Sequence, residues 1–310
     1  MNPTLPHPAL QGLTVFERGW LSSNNVLLHG HGQAAVLVDS SHVLHAEQTQ
    51  ALVQQALAGE TLAGIVNTHL HSDHCGGNAH LQPALGGYIH VPQGSWAAAR
   101  AWDEDALSYR HTGQRCQRFC PDAMLRAGQT LQLGQRRWQV LAAPGHDPQS
   151  IMLFDAEQGV LISADALWEN GFGVVFPELE GEAAFDDVAQ VLDLIESLGA
   201  QVVIPGHGAP FSDLAGALHR ARQRLAAFRA DPARHRRHGI KVLVKYHLME
   251  ERQQAWAAFV DWCCATPLCH AVWLRLGAPE GTLAAFAEHI VHDLLRGGVL
   301  ALREGVLADV

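Results

Sequence analysis

No run of 18 apolar residues occurs anywhere in this 310-residue chain, so nothing in it reads as a membrane-spanning helix. The opening stretch MNPTLPHPALQGLTVFERG has neither a basic start nor an apolar core, which sets the expectation of a cytoplasmic protein without a secretory signal. Cysteine is sparse: there are six, none in the paired spacing of a zinc finger. Reduced thiols are expected rather than a disulfide framework, with Cys116 and Cys120 spaced as on one helix face. Internal repeats and low-complexity segments are absent. Positive charge is scarce where the chain is longest. Residues 1–215 carry 8 Lys+Arg against 22 Asp+Glu, a poor docking surface for a polyanion. Residues 216–310 reverse the balance, with 13 against 9, inside a net charge of −10.

What is present is enough for a substantial core: 48% hydrophobic residues, punctuated by 29 glycines and 14 prolines. Up to about residue 214 the chain alternates strand-like and helix-like runs. AAVLVDS (34–40), LAGIVNTH (62–69) and GGYIHVP (86–92) predict strands, and 45–59 and 183–199 predict amphipathic helices. Two hairpins are expected, turning near 134–135 and 157–159, followed by a strand in AQVVIPGHG (200–208). Beyond residue 214 helical patterns dominate, over 214–230, 245–264 and 282–296, before a short strand pair in GGVLALREGVLADV. The expected organisation is a catalytic domain over 1–214 and a helical or winged-helix-like subdomain over 215–310.

The stretch NTHLHSDHCGGN places His69, His71, Asp73 and His74 within six residues, where a strand gives way to a loop. In an extended strand tail, positions 69 and 71 point the same way, so both rings can reach one ion. Asp73 and His74 lie past the turn and can face a second. Ser72, Gly76 and Gly77 are small, which would let the backbone pass close to the ions. Three further segments end predicted strands with a potential ligand: His146 in APGHD, Asp165 in SAD and His207 in PGHG. A lone histidine is more often a packed residue than a ligand. Convergence of four strand ends reverses those odds, and imidazole with some carboxylate suits zinc, iron or another borderline divalent ion.

THLHSDH followed in order by APGHD, SAD and PGHG resembles the metallo-β-lactamase-fold superfamily, which includes glyoxalase II, lactonases and tRNA 3′-processing nucleases. The resemblance covers residues 10–215. It implies an α/β fold, a four-layer αββα sandwich with the metals at one edge of paired sheets. It further implies that His69, His71 and His146 hold one metal, that Asp73, His74 and His207 hold another, and that Asp165 bridges them. Two zinc ions are the cofactors it implies, with iron or manganese as alternatives, and a hydroxide shared by the metals is the attacking reagent. Asp73 would stand beside that reagent as the catalytic carboxylate, orienting it or passing a proton to the leaving group.

Asp39, at the end of an early strand, and Thr68 are candidates to support the ligand histidines by hydrogen bonding. Cys75, next to His74, reads as a small packed residue. Trp168, Phe172 and Phe176, in the loop ALWENGFGVVFPELEGE, would form an apolar substrate wall. The segment 95–125, rich in aromatics and arginine, would lie across the site as a partial lid. The expected activity is hydrolysis of a small ester-like substrate, a thioester or lactone. Two alternatives compete. Nine Lys+Arg between Arg220 and Lys245 face only Asp231, and a ribonuclease or phosphodiesterase would dock nucleic acid there. A mononuclear iron persulfide dioxygenase shares the HxHxDH arrangement. The leading reading expects a small-molecule partner and no membrane, and is compatible with a dimer.

Overall fold

A computed structural model describes residues 7–310 of the chain. Two β-sheets form its centre. The first runs β1 (Leu13–Phe16), β2 (Asn25–Leu28), β3 (Ala35–Val38), β4 (Leu62–Val66), β5 (Tyr88–Pro92) and β6 (Ala123–Leu125), in spatial as well as sequence order. The early strands pair antiparallel; β3 to β6 pair parallel, each connection crossing through helix or loop. The second sheet has the order β11–β10–β9–β8–β7. Its members are β7 (Thr130–Leu133), β8 (Arg136–Ala142), β9 (Ile151–Asp155), β10 (Val160–Ala164) and β11 (Val202–Pro205). Both predicted hairpins, β7–β8 and β9–β10, are present. Strands β1, β2 and β6 add to those read from sequence.

The layering follows from burial. Strands β9 and β10 are apolar on both faces, IMLFD and VLISA, and every residue in them is buried. Such strands need cover on both sides. One face meets the other sheet, where Val38, Val66, Trp138, Leu153 and Ile204 interdigitate. The opposite face of the second sheet packs under α7 (Phe185–Leu198) and α8 (Leu214–Ala230), through Leu161, Val203, Leu192, Ile195 and Leu225. The outer face of the first sheet is covered by α1 (Ala46–Leu57), α3 (Asn78–Leu85) and α4 (Trp96–Ala101), with Leu37, Ile65 and Ile89 against Val53 and Leu81. The result is helix, sheet, sheet, helix. Between the first-sheet helices lie two single turns, α2 (Ser72–Cys75) and α5 (Tyr109–Thr112), and a third, α6 (Phe176–Glu180), precedes α7.

Asp231 ends α8 and starts α9 (Pro232–Glu251): its side chain accepts the Arg234 N–H, and Pro232 occupies the first turn, where a missing N–H costs nothing. Then follow β12 (Gln253–Ala255), α10 (Trp256–Ala265), α11 (Pro267–Arg275), α12 (Leu283–Arg296), β13 (Leu300–Arg303) and β14 (Val306–Asp309). The three strands make a small antiparallel sheet of order β12–β14–β13. The C-terminal part has its own apolar cluster, with Leu243, Leu248, Phe259, Leu268, Val291 and Leu307 at its centre. The division expected at 214/215 falls at the start of α8, whose buried face joins α7 rather than this cluster. Among the described residues, no single helix is long and apolar enough to cross a membrane.

Two local expectations need correction. The helix expected over 245–264 is two helices. Arg252 takes a left-handed conformation (φ 63°), and the next three residues pair with β14, so a continuous apolar periodicity conceals a break. Cys116 and Cys120 lie on no helix, because the chain between Gly113 and Asp122 is irregular. Cys116 instead sits 3.8 Å from the Cys75 sulfur.

Candidate metal centre and its pocket

Four chain segments leave the same edge of the two sheets and meet there. Strand β4 ends at Val66 and runs through Asn67 into His69 and His71; α2 then turns Asp73 and His74 inward. The segment after β8 supplies His146, the one after β10 supplies Asp165, and the one after β11 supplies His207. The Ile151 N–H donates to the Thr68 carbonyl (2.9 Å), tying the first sheet's ligand loop to the second sheet. All seven side chains predicted as ligands are buried and fall into two groups.

The first group is His69, His71 and His146. His69 Nε2 lies 3.1 Å from His71 Nδ1, which lies 2.8 Å from His146 Nε2. The second is Asp73, His74, Asp165 and His207. Here His207 Nε2 is 3.1 Å from Asp73 Oδ2, and His74 Nε2 is 3.6 Å from the same oxygen. Asp165 joins the groups, its Oδ2 being 3.2 Å from His146 Nε2 and 3.5 Å from His74 Nε2.

Ring orientations follow from what binds the far nitrogens. Asp39 accepts from the Thr68 N–H and hydroxyl and from His74 Nδ1–H, each at 2.8 Å. Having donated its own proton to Asp39, the Thr68 oxygen can only accept from His69 Nδ1–H (3.2 Å). His146 Nδ1–H donates to the Val174 carbonyl at 2.6 Å. Three rings are therefore fixed with Nε2 turned toward the centre, and His74 Nε2 has no hydrogen-bond partner. One carboxylate and one hydroxyl, Asp39 and Thr68, set two of them. Asp39 does this from a left-handed backbone (φ 58°), and Ala164, just before Asp165, has φ 46°. Non-glycine residues held so are strained by about 1 kcal/mol or more, a cost that packing elsewhere must offset.

The electrostatics favour a cation. Burial, reinforced by the neighbouring rings, pushes His69 well below its usual range, and burial with His146 brings His71 to about 4. Both are neutral donors at neutral pH. Burial also works against charge on His74, yet Asp73, Asp165 and Asp39 together draw that ring well above the usual range. Asp73 moves the other way: burial raises it, but His74 and His207 hold it at about 2. Three carboxylates around one buried ring stabilise positive charge. With N-rich donors on one side and mixed N and O donors on the other, the residues fit two borderline divalent ions.

Glycines keep this room open. A Cβ on Gly206 would stand 2.1 Å from Asp165 Oδ1 and 3.1 Å from the His74 ring. Gly76 and Gly77 have a different task from the one expected of them. Added Cβ atoms there would strike backbone atoms of residues 40, 43 and 72, so they serve a close crossing of chains behind the ligands. Cys75 is packed, as expected, its thiol against Leu70 O and the Tyr109 hydroxyl.

Above the two side-chain clusters opens a cavity of about 680 Å³, within the range of small-ligand sites. Trp168, Phe172 and Phe176 all line it. The expected lid does not. Trp96, Trp102 and Phe119 pack on the outer face of the first sheet, and Arg110 and Arg115 pair with acids elsewhere. Only Gln114 of that segment reaches the cavity. The far wall comes instead from α9, through Lys241, Val242, Lys245, Tyr246 and Met249, with Leu294 and Val299 beyond. The spacing 241/245/249 and 242/246 is one helical face, a signal present in the sequence and obscured by the basic run around it. Trp20 was likewise missed by sequence reasoning. It is 62% exposed and stacks on His207 with ring centroids 5.2 Å apart.

Residues 18–207 match the sequence model of the metallo-beta-lactamase superfamily. The chain belongs to that superfamily. Among curated superfamily relatives, a chicken acyl-coenzyme A thioesterase, MBLAC2, is 27% identical over 46% of this chain and 55% of its own length. A hydroxyacylglutathione hydrolase from Synechococcus sp. (strain ATCC 27144 / PCC 6301 / SAUG 1402/1) is 30% identical over 62% of this chain and 61% of its own. The chain thus spans about half the length of the curated relatives it matches. A beta-lactamase domain protein from Burkholderia ambifaria has the same fold across 100% of this chain and 98% of that one, at 21% identity and a TM-score of 0.55. A protein, TTHA1623, solved in a di-iron-bound form is similar over 67% of this chain and 98% of its own, with 27% identity and a TM-score of 0.51. Metal-dependent hydrolysis is consistent with this membership.

Proposed function

We propose that this protein is a dinuclear metal-dependent hydrolase of small acyl thioesters, with lactones as related substrates. The observation that carries the reading is the pair of ligand groups sharing Asp165 at the floor of a large, mostly apolar cavity. His69, His71 and His146 would hold one ion and Asp73, His74 and His207 the other. Bound zinc, iron or manganese would supply an acidified water and a Lewis acid for the carbonyl oxygen. The rest is the work of side chains. Trp168, Phe176 and Val242 take the acyl group and exclude bulk water from the carbonyl. Asp73, ionised throughout the neutral range, orients the attacking water, and the proton that water releases ends on the departing sulfur. The C–S bond breaks, leaving a carboxylic acid and a thiol.

The names of the relatives, an acyl-CoA thioesterase and a hydroxyacylglutathione hydrolase, support a thioester. A complete second ligand group supports two ions over the single iron of a dioxygenase. The basic run gives little support to a nucleic-acid substrate: Arg220, Arg222, Arg229, Lys241 and Lys245 are each engaged by a carboxylate of the chain itself. The test is a panel of acyl thioesters, lactones and phosphodiesters assayed beside metal analysis of the same preparation. Turnover of thioesters with about two ions per chain is expected. Cleavage of phosphodiesters alone, or activity that survives complete chelation, overturns the proposal.

A further inference from the structure

The cavity holds three cationic side chains, and they are not equivalent. Lys241 pairs with Asp293 (2.7 Å), and Lys245 pairs with Asp309 and donates to the Val299 carbonyl. Arg224 has no carboxylate partner among the described residues. Its guanidinium sits in the corner formed by two nearly perpendicular rings, 5.5 Å from the Phe172 centroid and 5.4 Å from that of Phe228. Its one hydrogen bond runs from Nη2 to His238 Nε2, at 2.7 Å. Arginine only donates, so that nitrogen is an acceptor and the ring is neutral. Burial, then Arg224 itself, hold His238 down at about 4, which agrees. Gly171 (φ +122°) keeps the remaining space open, since a Cβ there would lie 2.8 Å from Nη1.

A partly buried guanidinium normally has a carboxylate or phosphate beside it, because stripping water from an unpaired charge is costly. Here the aromatic faces and His238 fix the plane of the fork and leave donors unused on a cavity wall. Phe172 spans the distance to the metal centre: it lines the cavity beside Arg224 and also the small crevice containing His146 and Asp165.

We infer that Arg224 is a binding residue for an anionic group, carboxylate or phosphate, on the substrate of the neighbouring metal centre. The inference rests on the proposed hydrolase reading and narrows it: the thiol half of the thioester carries a negative charge. Rigid donors in a fork suit either oxyanion bidentately.

The experiment compares three octanoyl thioesters that differ in the thiol: glutathione (carboxylates), coenzyme A (phosphates) and N-acetylcysteamine (neutral). Wild-type protein should prefer at least one anionic probe by kcat/KM, and the favoured probe identifies the oxyanion. In Arg224→Met the ratio of anionic to neutral kcat/KM should fall roughly ten- to a hundredfold, mostly through KM, as for loss of a charge-assisted hydrogen bond. Arg224→Gln, which can still donate to His238, should lose the preference too, whereas Arg224→Lys should retain part of it. An unchanged ratio, whether or not overall activity falls, overturns the inference. Binding of the matching S-octyl thioethers, read by Trp20 and Trp168 fluorescence, separates the two proposals. Arg224-dependent binding of an anionic thioether without thioester turnover keeps the inference and sinks the hydrolase reading. Turnover with no preference among the three thiols does the reverse. If neither Met nor Gln variant folds, the wild-type preference must weaken at high sodium chloride; a salt-independent preference counts against Arg224.

Discussion

The two walls of the cavity are built on opposite plans. The floor is assembled from four strand ends, each contributing one or a few candidate ligands, with Asp39 and Thr68 fixing ring orientations from behind. The far wall is one face of a single helix, α9, held by contacts remote from the ions. His42 Nε2–H donates to Glu250 (2.9 Å), a fully buried contact, and Glu250 also accepts the Arg115 N–H. Nearer the centre, the Tyr246 hydroxyl donates to Ser72 Oγ (2.7 Å), whose own proton goes to Gln114. The difference teaches that position is fixed by backbone at one wall and by docking at the other. Small changes at the floor should therefore destroy chemistry, while changes at α9 should alter selection and stability.

The largest effect is expected at the floor. Gly206→Ala drives a methyl into Asp165 and should reduce turnover to the uncatalysed level, with loss of bound metal but an unchanged far-ultraviolet spectrum. Wild-type activity with an intact chelator-treated fold should likewise vanish, and return with added divalent metal. Asp39→Ala acts one step removed and should cost about 10- to 100-fold in metal affinity or turnover, read by competition with a chromogenic chelator. If it costs nothing, the orientation argument for the floor fails.

At the other wall, His42→Ala removes a buried donor from Glu250 and should destabilise the fold by about 3 kcal/mol in urea unfolding. Selection should follow acyl length. Each methylene laid against Val242, Met249 or Leu294 is worth about 0.8 kcal/mol, or about fourfold in kcat/KM until the cavity is full. Val242→Asp should flatten that dependence while metal content stays constant. A variant that changed metal content instead would blur the distinction between the walls.

Acid should act on the seam between them. His235 and His238, in the first turns of α9, are held down at about 3 and about 4, with burial the largest cause. The unfolded chain takes up protons near 6.5 and the folded chain does not. Their contribution is thus present above that value and lost as pH falls from about 6.5 toward about 3. His235→Gln, which can still accept the Val175 N–H, should be less stable at neutral pH yet show a shallower acid dependence of the urea midpoint. The smallest effect belongs to the outer surface. Charge reversal at the exposed Arg234 and Arg237 should leave thioester turnover unchanged; abolished activity with a steep salt dependence would favour the nucleic-acid reading instead.

The same contrast explains what was legible in the sequence. The strands of the floor and the convergence of its candidate ligands could be read because period-2 apolar runs ended in histidine or aspartate, and spacing alone placed 69 with 71. Asp39 was readable as a strand-end carboxylate. The far wall was not, because docking depends on which loop a helix meets, and no local pattern records that Tyr246 meets Ser72. The aromatics of 95–125 misled for the same reason: Trp96, Trp102 and Phe119 are as apolar as a lid requires, but the first sheet's outer face also needed cover. The break at Arg252 was hidden by apolar spacing that continues across it.

Tyr246, Lys245 and Val242 touch none of the ion-binding side chains' supporting bonds except through Ser72. A lineage can therefore exchange this helix, or drift along its inner face, and acquire a new diet without rebuilding its reactive machinery. Grafting residues 232–310 of one relative onto the sandwich of another is the engineering counterpart, with the Ser72–Tyr246, His42–Glu250, Val175–His235 and Arg224–His238 contacts among the joints to preserve.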